Sequence, residues 1–393
     1  MAVLERSEQT AAHVQGESGV TVAGPQELET GGVLTIDLSA LESNWRSLAS
    51  RVSPSDCAAV VKADAYGCGL EPVTAMLARA GCRTFFVAHI AEGRRVRAIA
   101  PNAVIYVLNG IAPGSAAAFA DANLRPVIGN LAELAEWDAY GGSTGWKGEH
   151  ALHFDTGMNR LGFAIEEAPA LAPRASRLDH GIALIMSHLA CAETPSHPLN
   201  ERQITAFRDL RTLFRGLPAS LANSSGIFLG GATHCDMVRP GVALYGVNPT
   251  PGKHNPMRAV IEVKGRVVQI RKIERGVSIG YGATWTAHRP SRIATISVGY
   301  ADGFSRAASS TERGHRAEVI VGGWQCPVVG RISMDLLAVD VTALPDNAVK
   351  RGEFATLIGG RIGVDEFAAS IGTIGYEVLT SLGRRFTRKY RVS

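Results

Sequence analysis

No stretch of the 393-residue chain approaches the roughly 18 consecutive apolar residues that a membrane-crossing helix needs, so the sequence offers no span. The cysteines, Cys57, Cys68, Cys82, Cys191, Cys235 and Cys326, show no CxxC spacing. A chain this long needs no covalent staples, and they read as reduced thiols of a cytoplasmic protein. Residues 1–10 have no apolar segment and carry Glu5, Arg6 and Glu8, which argues against a secretory signal. Like charges form no block, and a net charge of +4 is small for the length, so neither nucleic acid nor a membrane is an expected partner. No GxGxxG follows the first strand pattern, which counts against a dinucleotide-binding sheet. Internal repeats and low-complexity tracts are absent too.

What is present is an ordinary globular composition, 46% hydrophobic and 19% charged, in a length that accommodates two domains. Residues 1–32 are polar and without periodicity, and read as a flexible extension. A short strand follows over 33–38, and Ser39-Ala40-Leu41-Glu42 resembles a capped helix start. Apolar segments at 57–61, 84–88, 104–108, 124–128, 151–154, 182–186, 219–221 and 235–238 then alternate with helical patterns over 71–80, 91–100, 131–137 and 203–214. Eight such units predict an α/β fold, a (β/α)8 TIM barrel over 33–255, with an open doubly wound sheet as the runner-up. The first strand, 33–38, is open to joining the second domain instead. Residues 248–256, with three prolines and a glycine, read as a linker. Beyond it, β-branched runs at 260–263, 266–270, 292–298, 317–321, 325–329, 338–341 and 353–358 predict a mostly-β C-terminal domain over 256–393, with a helix at 364–371.

Within this frame one residue is out of place. The apolar run 57–61 ends in Lys62, followed by a two-glycine loop and a helical pattern from Glu71-Pro72. Parallel strands are buried on both faces, so a lysine at a strand end is either snorkelling outward or held in a dry pocket where its amine becomes nucleophilic. Schiff-base chemistry with an aldehyde cofactor needs the second kind. Barrel active sites gather at the C-terminal ends of strands. Lys62 ends the first of them, 156–160 follows the fifth, His188 ends the sixth, Asn223-Ser224 the seventh and Arg239-Pro240-Gly241 the eighth. The loops after strands seven and eight commonly bind phosphate, and they carry the Ser224 hydroxyl and the Gly241-Val242 backbone N–H groups.

The segment Val61-Lys62-Ala63-Asp64-Ala65-Tyr66-Gly67 resembles the pyridoxal-phosphate lysine motif of the alanine racemase family. So, in the family's order, do Asp155-Thr156-Gly157-Met158-Asn159-Arg160-Leu161-Gly162-Phe163, Met186-Ser187-His188-Leu189-Ala190, Val238-Arg239-Pro240-Gly241 and Tyr281-Gly282-Ala283-Thr284. The order continues with Gly299-Tyr300-Ala301-Asp302-Gly303, Gly330-Arg331-Ile332-Ser333-Met334-Asp335 and Gly375-Tyr376-Glu377-Val378. The resemblance runs from about Thr35 to the C-terminal end of the sequence.

The resemblance implies a pyridoxal 5'-phosphate-dependent homodimer with shared active sites. It would interconvert L- and D-alanine with two bases, Lys62 and the partner's Tyr281, and supply D-alanine for peptidoglycan. A racemase for serine or a bulkier amino acid on the same scaffold is the alternative. In the same reading Tyr66 and Tyr376 bind the phosphate, Arg239 meets the pyridine nitrogen, and His188 packs by the ring and bonds Arg239. Arg160 favours the phenolate of Tyr281, while Tyr300, Met334 and Asp335 of the partner line the substrate's approach. Related decarboxylases place an acid, not an arginine, at the ring nitrogen, and a non-enzymatic cofactor carrier would not need the β domain with Tyr281. The chain departs from a common family pattern at His153, where many members have a lysine whose carbamate neutralises the arginine matching Arg160. No metal is expected: the spacing of His150 and His153 puts them on opposite faces of a strand.

Overall fold

The computed structural model describes residues 25–175, 181–310 and 317–392. Most of the extension expected over 1–32 lies outside them. Its last part is not loose: Lys389 forms an ion pair with Glu27, Arg266 donates to the Glu27 carbonyl at 2.9 Å, and the Thr30 and Thr387 hydroxyls lie 2.7 Å apart.

Strand β1 (Gly32–Asp37) is followed at once by helix Leu38–Val52, capped by the Asp37 carboxylate, which accepts from Ala40 N–H at 2.8 Å. The cap is thus Asp37, two residues before the Ser39 the sequence pattern favoured. Next come the parallel strands β2 (Asp56–Cys57), β3 (Ala59–Val60), β4 (Thr84–Val87), β5 (Val104–Val107), β6 (Arg125–Ile128), β7 (His150–His153), β8 (Ile182–Met186), β9 (Ala219–Ser220) and β10 (Met237–Val238). Their order, β2-β10-β9-β8-β7-β6-β5-β4-β3, begins and ends on one stretch of chain. Residues 56–61 bond to β10 and the residues flanking it through Asp56, Ala58 and Val60 N–H, and to β4 through Val61 N–H, which closes the ring. The expected single strand 57–61 is therefore two short pairings that share one bend, and the architecture is an eight-unit α/β barrel. Short apolar strands with both faces covered are what such a ring requires.

The C-terminal domain is antiparallel apart from one pairing. Strand β11 (Ile261–Ile273) is a single 13-residue strand where the sequence suggested two. A register shift between Val267 and Gln269 lets its first half pair with β16 (Phe354–Ile358) and its second with β12 (Ser291–Ile296). With β13 (Glu318–Val321), β14 (Trp324–Val329) and β15 (Leu337–Asp340) these strands close a second ring. Strand β1 is added to β11, and β17 (Thr387–Arg391) runs parallel to β1. The first described strand thus belongs to the sheet of the C-terminal domain. Helix Val364–Ile371 has its expected bounds, whereas helix Gly375–Ser381 and strand β17 had no clear signal.

Candidate active site

The C-terminal mouth of the barrel opens into a cavity of about 690 Å³ lined by Lys62, Tyr66, His153, Arg160, His188, Ser224, Arg239, Gly241, Val242 and Tyr376, among others. The fold thus brings ten of the residues named from the sequence to one place. Three of them, Lys62, Arg160 and Arg239, are cationic, and the lining contains one carboxylate, Glu377.

Lys62 does not end a strand in the simple sense. β3 stops at Val60, and Lys62 opens a short turn in which Ala63, Asp64, Ala65 and Tyr66 all adopt φ of 53–54°. Left-handed helix is disfavoured for such residues by about 1–2 kcal/mol each, so the turn stores on the order of 4–8 kcal/mol that its surroundings must offset. The ladder of that turn runs from Ala65 N–H to Val61 O and from Gly67 N–H to Ala63 O, each at 2.9 Å. Gly67 continues the left-handed course at φ 78°, and a Cβ there would lie 2.3 Å from the Leu379 carbonyl, so only glycine fits beneath helix Gly375–Ser381. Burial and the nearby Arg160 draw the Lys62 pKa down, with Glu92 opposing them.

Arg239 is buried. It donates from Nη1 to Ser220 Oγ and from Nη2 to Ser187 O at 2.7 Å, to His188 Nδ1 at 3.2 Å and to Leu221 O at 3.4 Å. Nε has no partner among the described residues. Burial pushes the guanidinium down to about 10, which leaves it charged at neutral pH. Arginine only donates, so Nδ1 of His188 accepts and the imidazole is neutral. Burial together with Arg239 pushes His188 in that same direction, well below its ordinary value. Burial and Arg239 likewise hold His153 down at about 4, so it too is neutral at pH 7. His150 packs near Trp137, with ring centroids 6.5 Å apart, and shares no site with His153.

At the far wall Tyr66 stacks on Tyr245 with centroids 4.6 Å apart, and Tyr376 lies 6.3 Å from Tyr66. Burial raises the pKa of both hydroxyls, so they stay protonated donors. Tyr376 Oη donates to Glu193 at 3.3 Å. Ser224 Oγ accepts from Gly241 N–H at 2.9 Å and from Ala243 N–H at 3.2 Å, so the Gly241 amide, expected to be free, is turned onto the serine, and Gly241 and Val242 are buried. A Cβ at 241 would lie 2.3 Å from Tyr66 Oη, which explains the glycine.

The remaining candidates are elsewhere. Tyr281, Tyr300 and Met334 are 72%, 42% and 53% exposed, and Asp335 is exposed as well. They cluster on the β domain: Tyr300 N–H donates to Ser333 O and Ala301 N–H to Met334 O, while the Tyr281 turn lies against Arg331. None of the four lines the cavity of its own chain. Arg160, exposed at the mouth, has no ion-pair partner among the described residues. Sequence reasoning did not single out Glu92 and Arg95, which grip the Lys62 turn; helix-surface charges are common, and only the fold shows what these two touch.

Residues 36–249 match the family model described as alanine racemase, N-terminal domain, and residues 260–390 the model described as alanine racemase, C-terminal domain. An alanine racemase of Methylobacterium sp. (strain 4-46) is 52% identical over 360 residues, 92% of this chain and 98% of its own. A biosynthetic alanine racemase of Agrobacterium fabrum is 45% identical over 369 residues, 92% of this chain and 94% of its own. Among solved structures, the alanine racemase from Bartonella henselae with covalently bound pyridoxal phosphate superposes with a TM-score of 0.87 at 38% identity, covering 92% of this chain and 99% of that one. With both domains matched and relatives aligned along nearly their whole length, the chain belongs to the alanine racemase family.

Proposed function

We propose that the chain is a pyridoxal 5'-phosphate-dependent racemase that interconverts L- and D-alanine, acting in the cytoplasm as a homodimer whose two copies share their active sites. The cavity suits the cofactor on its own terms. Arg239 Nε has no partner among the described residues, position 241 leaves room where a side chain would abut Tyr66 Oη, and three basic side chains against one carboxylate favour an anionic ligand. Tyr66, Tyr376, Ser224 and the Val242 N–H would hold the phosphate, with the Gly241 N–H turning from Ser224 onto it, Arg239 would meet the pyridine nitrogen, and Lys62 the aldehyde carbon. Bound there, pyridoxal phosphate supplies an electron sink that makes the α-hydrogen of an amino acid removable at neutral pH.

The protein's own groups do the rest. A guanidinium donates and cannot take a proton from the ring nitrogen, so Arg239 would keep that nitrogen unprotonated and temper the sink, which would disfavour side reactions such as transamination. His188, neutral, braces Arg239 by accepting from it. The Lys62 amine would move a proton on one face of the α-carbon. Racemisation needs a second base on the other face, and Tyr281 of the partner subunit fills that role, with Arg160 favouring its phenolate and meeting the substrate. Tyr300, Met334 and Asp335 come from the same partner face and keep the approach narrow, which favours alanine over larger amino acids.

The observation that carries this reading is a single cavity holding both a lysine drawn toward its free base and a buried arginine whose Nε has no partner among the described residues. Protein supplied with pyridoxal phosphate should exchange the α-proton of either alanine enantiomer with solvent and erase its chirality. Retained chirality without exchange refutes the proposal, and faster turnover of L-serine or L-lysine than of L-alanine moves it to the alternative substrate. Supply of D-alanine for peptidoglycan is tested by growth of a racemase-deficient bacterium without D-alanine.

A further inference from the structure

The turn that carries Lys62 is gripped by one neighbouring helix at two points. Glu92, in the first turn of helix Ile90–Ile99, splits its carboxylate. Oε2 accepts from Ala88 N–H at 2.8 Å and His89 N–H at 3.2 Å, which caps the helix, while Oε1 reaches across to accept from Ala63 N–H at 2.7 Å. Three residues on, Arg95 binds both oxygens of Glu71, at 2.6 and 2.8 Å, and Asp64 Oδ1 at 2.7 Å; that same Oδ1 accepts from Leu70 N–H at 3.2 Å. Ala63 and Asp64 are the first two left-handed residues after Lys62. The conformation they hold is one the chain would leave if released.

We propose that Glu92 is a positioning residue for Lys62: by holding the Ala63 N–H it fixes the direction in which the lysine side chain leaves β3, and its second oxygen ties that direction to the barrel through the helix start. Arg95 is the second clamp, acting through Asp64. The inference rests on the reading of Lys62 as cofactor anchor and base. A second effect follows from charge. The groups around the Lys62 amine are Arg160 at the mouth, the neutral His153 and His188, Arg239, Tyr66 and Tyr376 across the cavity, Glu377 on its rim, and Glu92. Glu92 is the carboxylate that supports the protonated amine against burial and Arg160.

Two variants of the full-length enzyme separate tether from charge. Glu92→Gln keeps the length but removes the charge and sets an amide NH2 against helix-start N–H donors. Glu92→Asp keeps the charge and shortens the reach. The first readout is capture of added pyridoxal phosphate by Lys62 in cofactor-depleted enzyme, trapped with borohydride, mapped by peptide mass and followed against pH. The second is kcat and KM for alanine. In Glu92→Gln the capture profile should move to lower pH by about half a unit or more, because an anion that favours the protonated amine is gone. Its kcat should fall about tenfold or more with little change in KM. In Glu92→Asp the profile should stay and kcat alone should fall. Trapping at another residue in the wild-type enzyme overturns the reading of Lys62 itself. Trapping at Lys62 with superimposable profiles and equal kcat in wild type and Glu92→Gln overturns the role of Glu92. If Glu92→Gln does not fold, Glu92→Asp decides, and a wild-type kcat there overturns the tether.

Discussion

The barrel mouth and the exposed face of the β domain carry the two halves of the proposed chemistry under opposite conditions. At the mouth, one chain assembles everything: burial pulls Lys62, Arg239, His153 and His188 down and keeps Tyr66 and Tyr376 protonated. On the β domain, Tyr281, Tyr300, Met334 and Asp335 are exposed, and none of them lines the barrel-mouth cavity of its own chain. The first region is a cavity lined by one chain, and the second is an exposed surface on which Asp335 pairs with Arg385 at 2.9 Å. The fold alone brings the first set together, and the proposed dimer is what would give the second set a role.

The sharpest test of the contrast is Lys62→Ala, which should abolish racemisation and all borohydride-trapped cofactor; trapping that persists elsewhere breaks the assignment of the mouth. Tyr281→Phe keeps the ring and removes the hydroxyl, and should lower racemisation by roughly 10²–10⁴-fold, as for a lost general base. The loss should be lopsided in deuterium wash-in, with D-alanine still exchanging through Lys62 and L-alanine not. Equal residual exchange would mean that Tyr281 is not the second base. Mixing the two inactive variants tests the assembly directly. If each site takes Lys62 from one copy and Tyr281 from the other, randomly re-formed dimers should regain about a quarter of wild-type activity; a mixture no better than its components would place both residues in one chain's site.

Smaller in rate but specific in outcome is Arg239→Glu. A carboxylate stabilises a protonated ring nitrogen where a guanidinium repels it, so pyruvate formed per racemisation event should rise, and an unchanged ratio removes Arg239 from that nitrogen. The smallest effect concerns pH. His153 has a folded value of about 4 against 6.5 for the free side chain. On acidification the unfolded chain takes the proton first, so the stability is whole above about pH 6.5 and drains away toward pH 4. His188 acts in the same direction. Replacing His153 by Gln should flatten the fall of Tm between pH 7 and 4, and parallel curves would show that His153 is not buried neutral. Since His153 cannot form a carbamate, activity should not respond to bicarbonate.

How far the sequence foretold this depends on the kind of signal. Apolar runs of four or five residues, such as β4, β5 and β8, are strong because both faces of a barrel strand are covered. Strand β17, Thr-Arg-Lys-Tyr-Arg, has almost no apolar content and is held by its pairing to β1, which no local pattern reveals. The bulge in β11 breaks the alternation and splits one strand into two apparent ones. The left-handed turn after Lys62 was invisible because Lys-Ala-Asp-Ala-Tyr favours right-handed helix; its conformation is imposed by Glu92, Arg95 and the helix above Gly67. Residue identity located the lysine, but its clamp is written in contacts between distant segments.

The pairing of β1 with β17 has a consequence for biosynthesis. Thr30 and Thr387, at the starts of these neighbours, are 357 residues apart in the chain. At 5–20 residues per second a ribosome needs on the order of 20–70 s to make the second after the first. Once residue 238 is made the barrel strands have every partner they need, whereas β1 waits for β11 on one edge and, until the chain reaches 387, for β17 on the other. The same late segment brings Arg388, which donates to Gly67 O at 3.2 Å, and Tyr390, whose hydroxyl lies against Gly69. The nascent protein can thus close its barrel before its last strand is made, but the lysine turn receives its last supports only when that strand arrives, so premature termination before 387 leaves an open sheet edge and a loosened Lys62 turn at once.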